Sequence, residues 1–371
     1  MKKILIVANV AKEHIIKFHL PTIKMLKENG WNVQVACSGE DEVPYCDKQW
    51  RMKYKRNPFT FNTIIGIFQL RKILNNEDFD IIHCHTPTGG IVARIATINL
   101  KNKPKVIYTS HGFHFFKGAP FLNWMLFFPV EKFLSYFTDI LITINQEDFE
   151  NAKKYNFHAK KILKISGVGV KLNKYKVNDK SLRLKYREML NIPKDSFVLI
   201  YVAEIIKNKN QKMILNALKE GQKDIPNTYL LLVGPDHTTG EFFSYAKDMK
   251  IKNVIFTGWR SDVPNLLNCS DCYVASSIRE GLGINLIEAM SSRLPVIASD
   301  NRGHRDIIKN NTNGILIKLN DYKAMAEAII NIYQNPEFRE ELVQNSQKTI
   351  NDFENDVILE KLKRIYMEVY R

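Results

Sequence analysis

The sequence predicts an α/β protein made of two Rossmann-like parallel-sheet domains in succession. Three observations predict it. Short apolar, β-branched runs alternate with helical patterns through the first half of the chain. A second alternating series begins near residue 197, and a basic, polar stretch without periodicity separates the two. At 371 residues, with 45% hydrophobic and 25% charged residues, the chain can bury two separate globular cores.

The elements follow in order. Met1-Lys2-Lys3 is a basic start to the apolar run 4–8. That run is too short for a signal-peptide core and reads as a first buried strand. Further strands are expected at 33–36, 81–84, 105–110 and 140–144, with helices at 18–29, closed by Gly30, and 64–75. Such alternation implies a parallel sheet with helices on both faces. Residues 162–165 lead into Ser166-Gly167-Val168-Gly169-Val170, and polar sequence continues to about Tyr186. The domain boundary is placed here, giving a first domain of 1–168 and a second of 169–355. Second-domain strands are expected at 197–202, 229–233, 253–256, 272–275, 295–298 and 314–317. In 356–371, Ile358, Leu359, Leu362, Ile365 and Tyr366 share one side of a helical pattern.

Composition narrows the partners. The net charge of +15 suits nucleic acid, an anionic membrane surface or acidic substrates. No nucleic-acid motif is visible, so nucleic acid is not expected. Basic residues such as Lys48, Arg51, Lys53, Lys55 and Arg56 are spread over several segments, and each near an anionic bilayer contributes about 1 kcal/mol. No run reaches the roughly 20 apolar residues of a membrane-spanning helix. The aromatic segment 114–128, with Phe115, Phe116 and Trp124, reads either as helix core or as a surface that meets lipid. Five cysteines without framework spacing fit a reducing cytoplasm. Cys269-Ser270-Asp271-Cys272 reads as a helix end entering a buried strand rather than as a metal or redox motif.

The most informative segment is Glu280-Gly281-Leu282-Gly283-Ile284-Asn285-Leu286-Ile287-Glu288. A strand pattern precedes it and a helix start, 284–291, follows. Strand, glycine turn and helix N-terminus offer backbone N–H groups to phosphate or sugar oxygens. A carboxylate in the turn and another two helical turns on can reach one polyhydroxylated, phosphorylated ligand from two ends.

On this Glu-x7-Glu segment and the two-domain layout, the chain resembles glycosyltransferase family 4, the retaining enzymes of GT-B architecture. The likeness runs over nearly the whole chain and is greatest to bacterial enzymes of capsule and exopolysaccharide assembly. It implies two Rossmann-like domains facing a central cleft, the first binding acceptor and the second binding donor, with the last helix crossing back to the first. It implies that Glu280 binds donor-sugar hydroxyls and Glu288 the ribose. Lys209 matches a family lysine that holds the donor diphosphate, together with the backbone from Gly281 through Leu282, Gly283, Ile284 and Asn285 to Leu286. The family's arginine five residues before that lysine is replaced by Glu204, so Arg279 or Lys207 is a candidate for the second positive charge. His111, in Tyr108-Thr109-Ser110-His111-Gly112-Phe113-His114, falls beside the donor sugar, and the backbone around Trp259 and Arg260 near the base. Asn9 to His14 corresponds to a loop that is glycine-rich in relatives and lacks glycine here; Asn9, His14 and His85 are the acceptor candidates.

Other readings stand beside these. His83 and His85 share a strand face and could form half a metal site; the family needs no metal, so a metal-free mechanism is expected, with His83 in the core. Asp78-Phe79-Asp80 is formally a D-x-D but lies at the amino end of its strand and reads as a solvated loop. The expected function is transfer of a hexose or N-acetylhexosamine from a nucleotide diphosphate sugar, a UDP-sugar, to a saccharide on a polyprenyl diphosphate. The expected place is the cytoplasm, peripherally at the inner face of the cell membrane. The competing readings are a GT-B nucleotide-sugar epimerase, which would consume donor without acceptor, and a non-catalytic carbohydrate-binding or scaffold subunit of a polysaccharide assembly complex.

Overall fold

The structure is a computed structural model that describes residues 2–55 and 57–370; Met1, Arg56 and Arg371 lie outside the described residues. The chain divides into two compact units, 1–169 with 355–371, and 170–354.

Unit 1 is a seven-stranded sheet: β1 (Lys3–Val10), β2 (Asn32–Ser38), β3 (Lys48–Arg51), β4 (Ile81–His85), β5 (Lys105–Ser110), β6 (Ile140–Thr143) and β7 (Lys161–Lys164). All pairings are parallel, in the order β3-β2-β1-β4-β5-β6-β7. The central strands are apolar runs buried on both faces, as a helix-covered parallel sheet requires. The order reverses between β1 and β4, and the carboxyl ends flanking that point are where open α/β sheets bind ligands. The helix Asn355–Tyr370 belongs to this unit: the ring nitrogen Nδ1 of His83 lies 2.7 Å from the Tyr366 hydroxyl, and Lys161 pairs with Glu368 at 2.7 Å.

A buried ion pair links two helices of unit 1. Arg94, on the helix Pro87–Ala96, meets Glu131, on the helix Phe121–Leu134, at 2.8 Å. The Tyr108 hydroxyl donates to the other Glu131 oxygen at 3.0 Å, and Arg94 Nε donates to the Gly90 carbonyl at 2.9 Å.

Unit 2 repeats the plan with six strands: β8 (Phe197–Val202), β9 (Thr228–Val233), β10 (Val254–Gly258), β11 (Cys272–Ala275), β12 (Val296–Ser299) and β13 (Ile315–Ile317). Its parallel order is β10-β9-β8-β11-β12-β13, so the reversal falls between β8 and β11. Asp271 anchors the start of β11. Its carboxylate takes Arg187 at 2.7 Å and the Val198 N–H at 2.8 Å.

Three expectations are corrected. The segment 48–51, counted only for its charge, is the edge strand β3; its KQWR sequence lacks an apolar alternation because neither face is fully covered there, leaving Lys48 and Arg51 exposed. Residues 9–14 are not a loop. Strand β1 runs through Asn9 to Val10, and the helical turn begins at once at Ala11. The first helix therefore starts well before Phe18, as a π-helix Ala11–His19 that passes into the α-helix Leu20–Glu28.

The aromatic segment also divides differently. Phe115 is buried and Trp124 packs against it with ring centroids 5.5 Å apart. The exposed apolar residues are instead Phe121, Leu122, Met125 and Leu126, with Phe61, Ile64 and Phe68 on the helix Phe61–Asn76. Phe59 and Phe127 join the two stripes, with ring centroids 5.4 Å apart. Among the described residues no helix is long and apolar enough to cross a membrane.

Candidate active site

Unit 2 assembles a site at its switch point from the loops that follow β8 and β11. After β8 the chain makes a short 3-10 turn, Lys207–Lys209, and Asn210 takes a left-handed conformation to start the helix Gln211–Gly221. After β11 the loop is knitted to this turn. Ser276 donates to the Lys209 and Asn210 carbonyls at 2.7 and 2.8 Å, the Ile278 N–H donates to Asn208 at 2.8 Å, and Asn208 Nδ2 donates to the Arg279 carbonyl at 3.0 Å. These bonds place Lys209 Nζ in an ion pair with Glu280 Oε1, both side chains largely covered. Two residues that sequence reading reached separately are thus one unit. Glu204, at the position of the missing arginine, is exposed.

The glycine turn leads into the helix Ile284–Ser291, with the bounds expected from sequence. Asn285 Nδ2 donates to the Val202 carbonyl at 2.9 Å and pins the helix to the end of β8. Two of the amides assigned to the diphosphate are used by the turn itself: Ile284 donates to the Leu282 carbonyl at 3.2 Å and Leu286 to that of Gly283 at 3.0 Å. Glu288 accepts from the Tyr175 hydroxyl at 2.5 Å, and burial followed by this carboxylate pushes the phenol pKa up. Trp259 and Arg260 follow β10, the edge strand two places from β8, and are not brought to the Lys209–Glu280 pair by the sheet order. Trp259 is exposed, and Arg260 is paired with Asp262 at 2.6 Å.

A third loop, missed from sequence, completes the site. After β12 the four-residue helical turn Arg302–Arg305 packs against Glu280. A Cβ on Gly303 would lie 2.8 Å from Glu280 Cβ and 3.0 Å from its backbone carbon and oxygen, so only glycine lets the two backbones approach. Arg302 Nε donates to the Glu280 carbonyl at 3.3 Å. His304 is buried with Nδ1 at 2.7 Å from the Ser299 carbonyl. A carbonyl only accepts, so Nδ1 carries the proton and Nε2 presents a lone pair. Among the described residues that Nε2 has no hydrogen-bond partner. Burial lowers the His304 pKa, and Glu280 partly opposes it. The available signal was Arg302-Gly303-His304 directly after a strand.

Unit 1 gathers histidines around its own switch point. His14 and His19 lie on the π-helix after β1, His85 ends β4 and His111 follows β5. The Nε2 atoms of His14 and His19 are 3.2 Å apart, and His85 Nδ1 is 3.2 Å from His111 Nε2. One ligating nitrogen from each of the four falls within 4.8 Å of the others. Burial holds His111 down at about 4, and burial with neighbouring imidazoles holds His19 and His85 well below the usual range. These three rings are neutral at pH 7. Of the pair suspected from sequence, His83 is in the core: its two nitrogens face the Tyr366 hydroxyl and, at 2.8 Å, the Thr109 hydroxyl. His19, unmarked in sequence, takes its place beside His85. Asn9 is buried within β1, and its carbonyl accepts from Ser38.

Asp78 and Asp80 precede β4, at the amino end of the sheet; Asp80 accepts the Lys3 N–H at 2.7 Å. Cys269 and Cys272 are buried thiols, the first pushed up to about 11 by desolvation.

Comparison with known proteins decides the family. A model of glycosyl transferases group 1 matches residues 183–349, and a glycosyl transferase 4-like model matches residues 3–145. EpsD of Bacillus subtilis (strain 168), named as a glycosyltransferase, is 40% identical over 98% of this chain and 96% of its own length. The chain belongs to the group 1, family 4-like glycosyltransferases. An Escherichia coli relative, UDP-Gal:alpha-D-GlcNAc-diphosphoundecaprenol alpha-1,3-galactosyltransferase, is 29% identical over 94% of this chain and 92% of its own. Among solved structures, HepE of Anabaena, in complex with UDP and glucose, superposes with a TM-score of 0.80 at 18% identity, over 99% of this chain and 100% of that one. The fold is GT-B, and the protein is a glycosyltransferase.

Proposed function

We propose that this glycosyltransferase moves a hexose or N-acetylhexosamine from a UDP-sugar to a saccharide carried on a polyprenyl diphosphate, with retention of anomeric configuration. The observation that carries the donor reading is the Lys209–Glu280 pair at the carboxyl ends of β8 and β11. Lys209 offers its charge to the diphosphate, the backbone of Gly281, Leu282, Gly283 and Asn285 offers dipoles, and Glu280 accepts from sugar hydroxyls. Glu288, held by Tyr175, meets the ribose. His304 Nε2, a buried lone pair in the neutral ring, accepts a hydrogen bond from a hydroxyl of the donor sugar. Arg279 adds positive charge; Trp259 and Arg260 serve the nucleotide base from the sheet edge. On this reading the leaving diphosphate is stabilised by protein groups, without a bridging metal. On unit 1, Asn9, His14 and His85 are the candidates for the acceptor's hydroxyls, and His111 for the donor sugar.

The names of relatives support a lipid-linked acceptor. The Escherichia coli enzyme is named for a diphosphoundecaprenol substrate, and so is an N-acetylgalactosaminyltransferase of Campylobacter jejuni, 24% identical over 96% of this chain. The exposed apolar stripes on the helices Phe61–Asn76 and Phe121–Leu134, with the net charge of +15, suit an anionic membrane surface, and a place on the inner face of the cell membrane.

The test is a screen of UDP-hexoses and UDP-N-acetylhexosamines with the purified protein, with and without a synthetic polyprenyl-diphosphate saccharide. UDP release that requires acceptor and yields an extended lipid-linked glycan is expected. Donor consumption without acceptor would select the epimerase reading, and no turnover with any pair would select the scaffold reading.

A further inference from the structure

We propose that His14, His19, His85 and His111 of unit 1 form a binding site for a zinc-class transition ion. Three independent features carry it. The first is spacing. Zinc–nitrogen bonds of about 2.05 Å in a tetrahedron set neighbouring nitrogens about 3.4 Å apart. His14 to His19 and His85 to His111 each stand at 3.2 Å, and all four ligating atoms lie within 4.8 Å of one another.

The second is the donor set. Four imidazole nitrogens and no carboxylate suit zinc, copper or nickel, whereas magnesium, calcium and manganese prefer oxygen.

The third is the backbone that delivers the rings. In an α-helix, residues five apart lie about 140° apart around the axis. The π-helix Ala11–His19 bonds i to i+5, so His14 and His19 fall one turn apart on the same side. A π-helix is the less favourable geometry, and here its effect is to point two imidazoles at one place. His85, the last residue of β4, and His111, directly after β5, bring the other two from neighbouring strands. An ion held there would tie the start of the first helix to the ends of both strands.

The bland alternative is a knot of imidazoles sharing protons in pairs, without metal. The proposal goes beyond the transfer reading and does not depend on it, because zinc binding is read with neither donor nor acceptor present. Full-length protein, free of any histidine tag and stripped with chelator, is titrated with zinc chloride against a chromophoric chelator. One equivalent per chain is expected. His19→Ala and His85→Ala should each weaken zinc by more than about tenfold, whereas His237→Ala, at an exposed histidine of unit 2, should leave it unchanged. Circular dichroism checks that the variants fold. Should they not, cobalt chloride added to the unaltered protein decides, since four imidazoles give the intense visible bands of tetrahedral cobalt. Absence of stoichiometric zinc, a weak octahedral cobalt spectrum, or zinc affinity equal in His19→Ala, His85→Ala and the parent would overturn the site.

Discussion

Lys209 and Glu280 stand 71 positions apart in the chain and meet as an ion pair where β8 lies beside β11. The pairing changes what each substitution should do. In the unliganded protein each charge is neutralised by the other, and an incoming diphosphate competes with Glu280 for the ammonium. Lys209→Ala removes the diphosphate's partner and also leaves a largely covered carboxylate facing it. UDP affinity should fall by about 1.5–3 kcal/mol, roughly 10- to 150-fold. Glu280→Ala frees the ammonium, so it should raise UDP affinity while losing transfer. In a double-mutant cycle read by UDP calorimetry, the two effects should be non-additive; additive values would mean that the pair does not act as one unit.

Gly303 and Glu280 give a steric counterpart. Gly303→Ala adds a methyl within about 3 Å of the Glu280 backbone, which packed loops relieve by shifting Glu280. Misplacement of a positioning group by a fraction of an ångström to 1 Å costs up to about a hundredfold in rate. Turnover should fall at least about tenfold while the melting temperature moves little. Parent-like turnover would mean that the Arg302–Arg305 turn does not position Glu280.

Both sheets were legible because their central strands are short apolar runs between helical patterns. Buried parallel strands must read that way. The helix bounds 284–291 were legible for a similar reason, since a glycine turn ends where helix propensity begins. What sequence could not show was pairing at a distance. Lys209 with Glu280, Glu288 with Tyr175, and Gly303 against Glu280 are set by strand order, and strand order leaves no local mark. The π-helix was hidden because its residues carry the same pattern as an α-helix, so His14 and His19 did not read as neighbours. The edge strand β3 was hidden because Lys48 and Arg51 are exposed there, so no buried face demands apolar residues of them.

The Arg94–Glu131 pair predicts a large stability effect away from the chemistry. Both side chains are almost wholly buried, and Tyr108 donates to the same carboxylate. Glu131→Ala strands the guanidinium, and breaking a buried pair on one side costs about 3–5 kcal/mol. Urea unfolding followed by tryptophan fluorescence should show the midpoint of unit 1 falling sharply. A change under about 1 kcal/mol would mean that water reaches Arg94 and replaces the carboxylate.

Glu77 predicts an acid limb to the stability of unit 1. The ammonium groups of Lys3 and Lys48 hold its carboxyl at about 2, below the ordinary 4.5. A folded pKa depressed in this way contributes stability above about pH 4.5, and that contribution is lost as pH falls from 4.5 toward 2. Lys3 lies on β1 and Lys48 on β3, so the loss loosens the edge of the sheet. Glu77→Gln should be less stable than the parent at pH 6 and should flatten the dependence between pH 4.5 and 2. Thermal melts across that range test it, and equal slopes for the two proteins would remove Glu77 from the acid limb.

The last prediction concerns the membrane surface. Sequence alone pointed to Phe115, Phe116 and Trp124, but Phe115 is buried and Trp124 packs on it. The surface that can meet lipid is the pair of stripes carrying Phe61, Ile64 and Phe68 on one helix, and Phe121, Leu122, Met125 and Leu126 on the other. Lys53 is exposed beside the first stripe, its N–H donating to Gln69 at 3.1 Å. Two forces should then be separable. Charge brings the protein to anionic vesicles and is screened within about 3 Å at 1 M salt. Apolar contact, at about 25 cal/mol per Å² of surface removed from water, does not weaken with salt. Flotation with anionic liposomes should therefore show binding that high salt reduces without abolishing. Phe68→Glu combined with Phe121→Glu should remove the salt-resistant fraction. These positions are exposed, so the fold and acceptor-independent UDP affinity should persist. Release of all the parent protein by salt would leave charge as the whole attraction, and no flotation with anionic or neutral liposomes would assign the stripes to another partner.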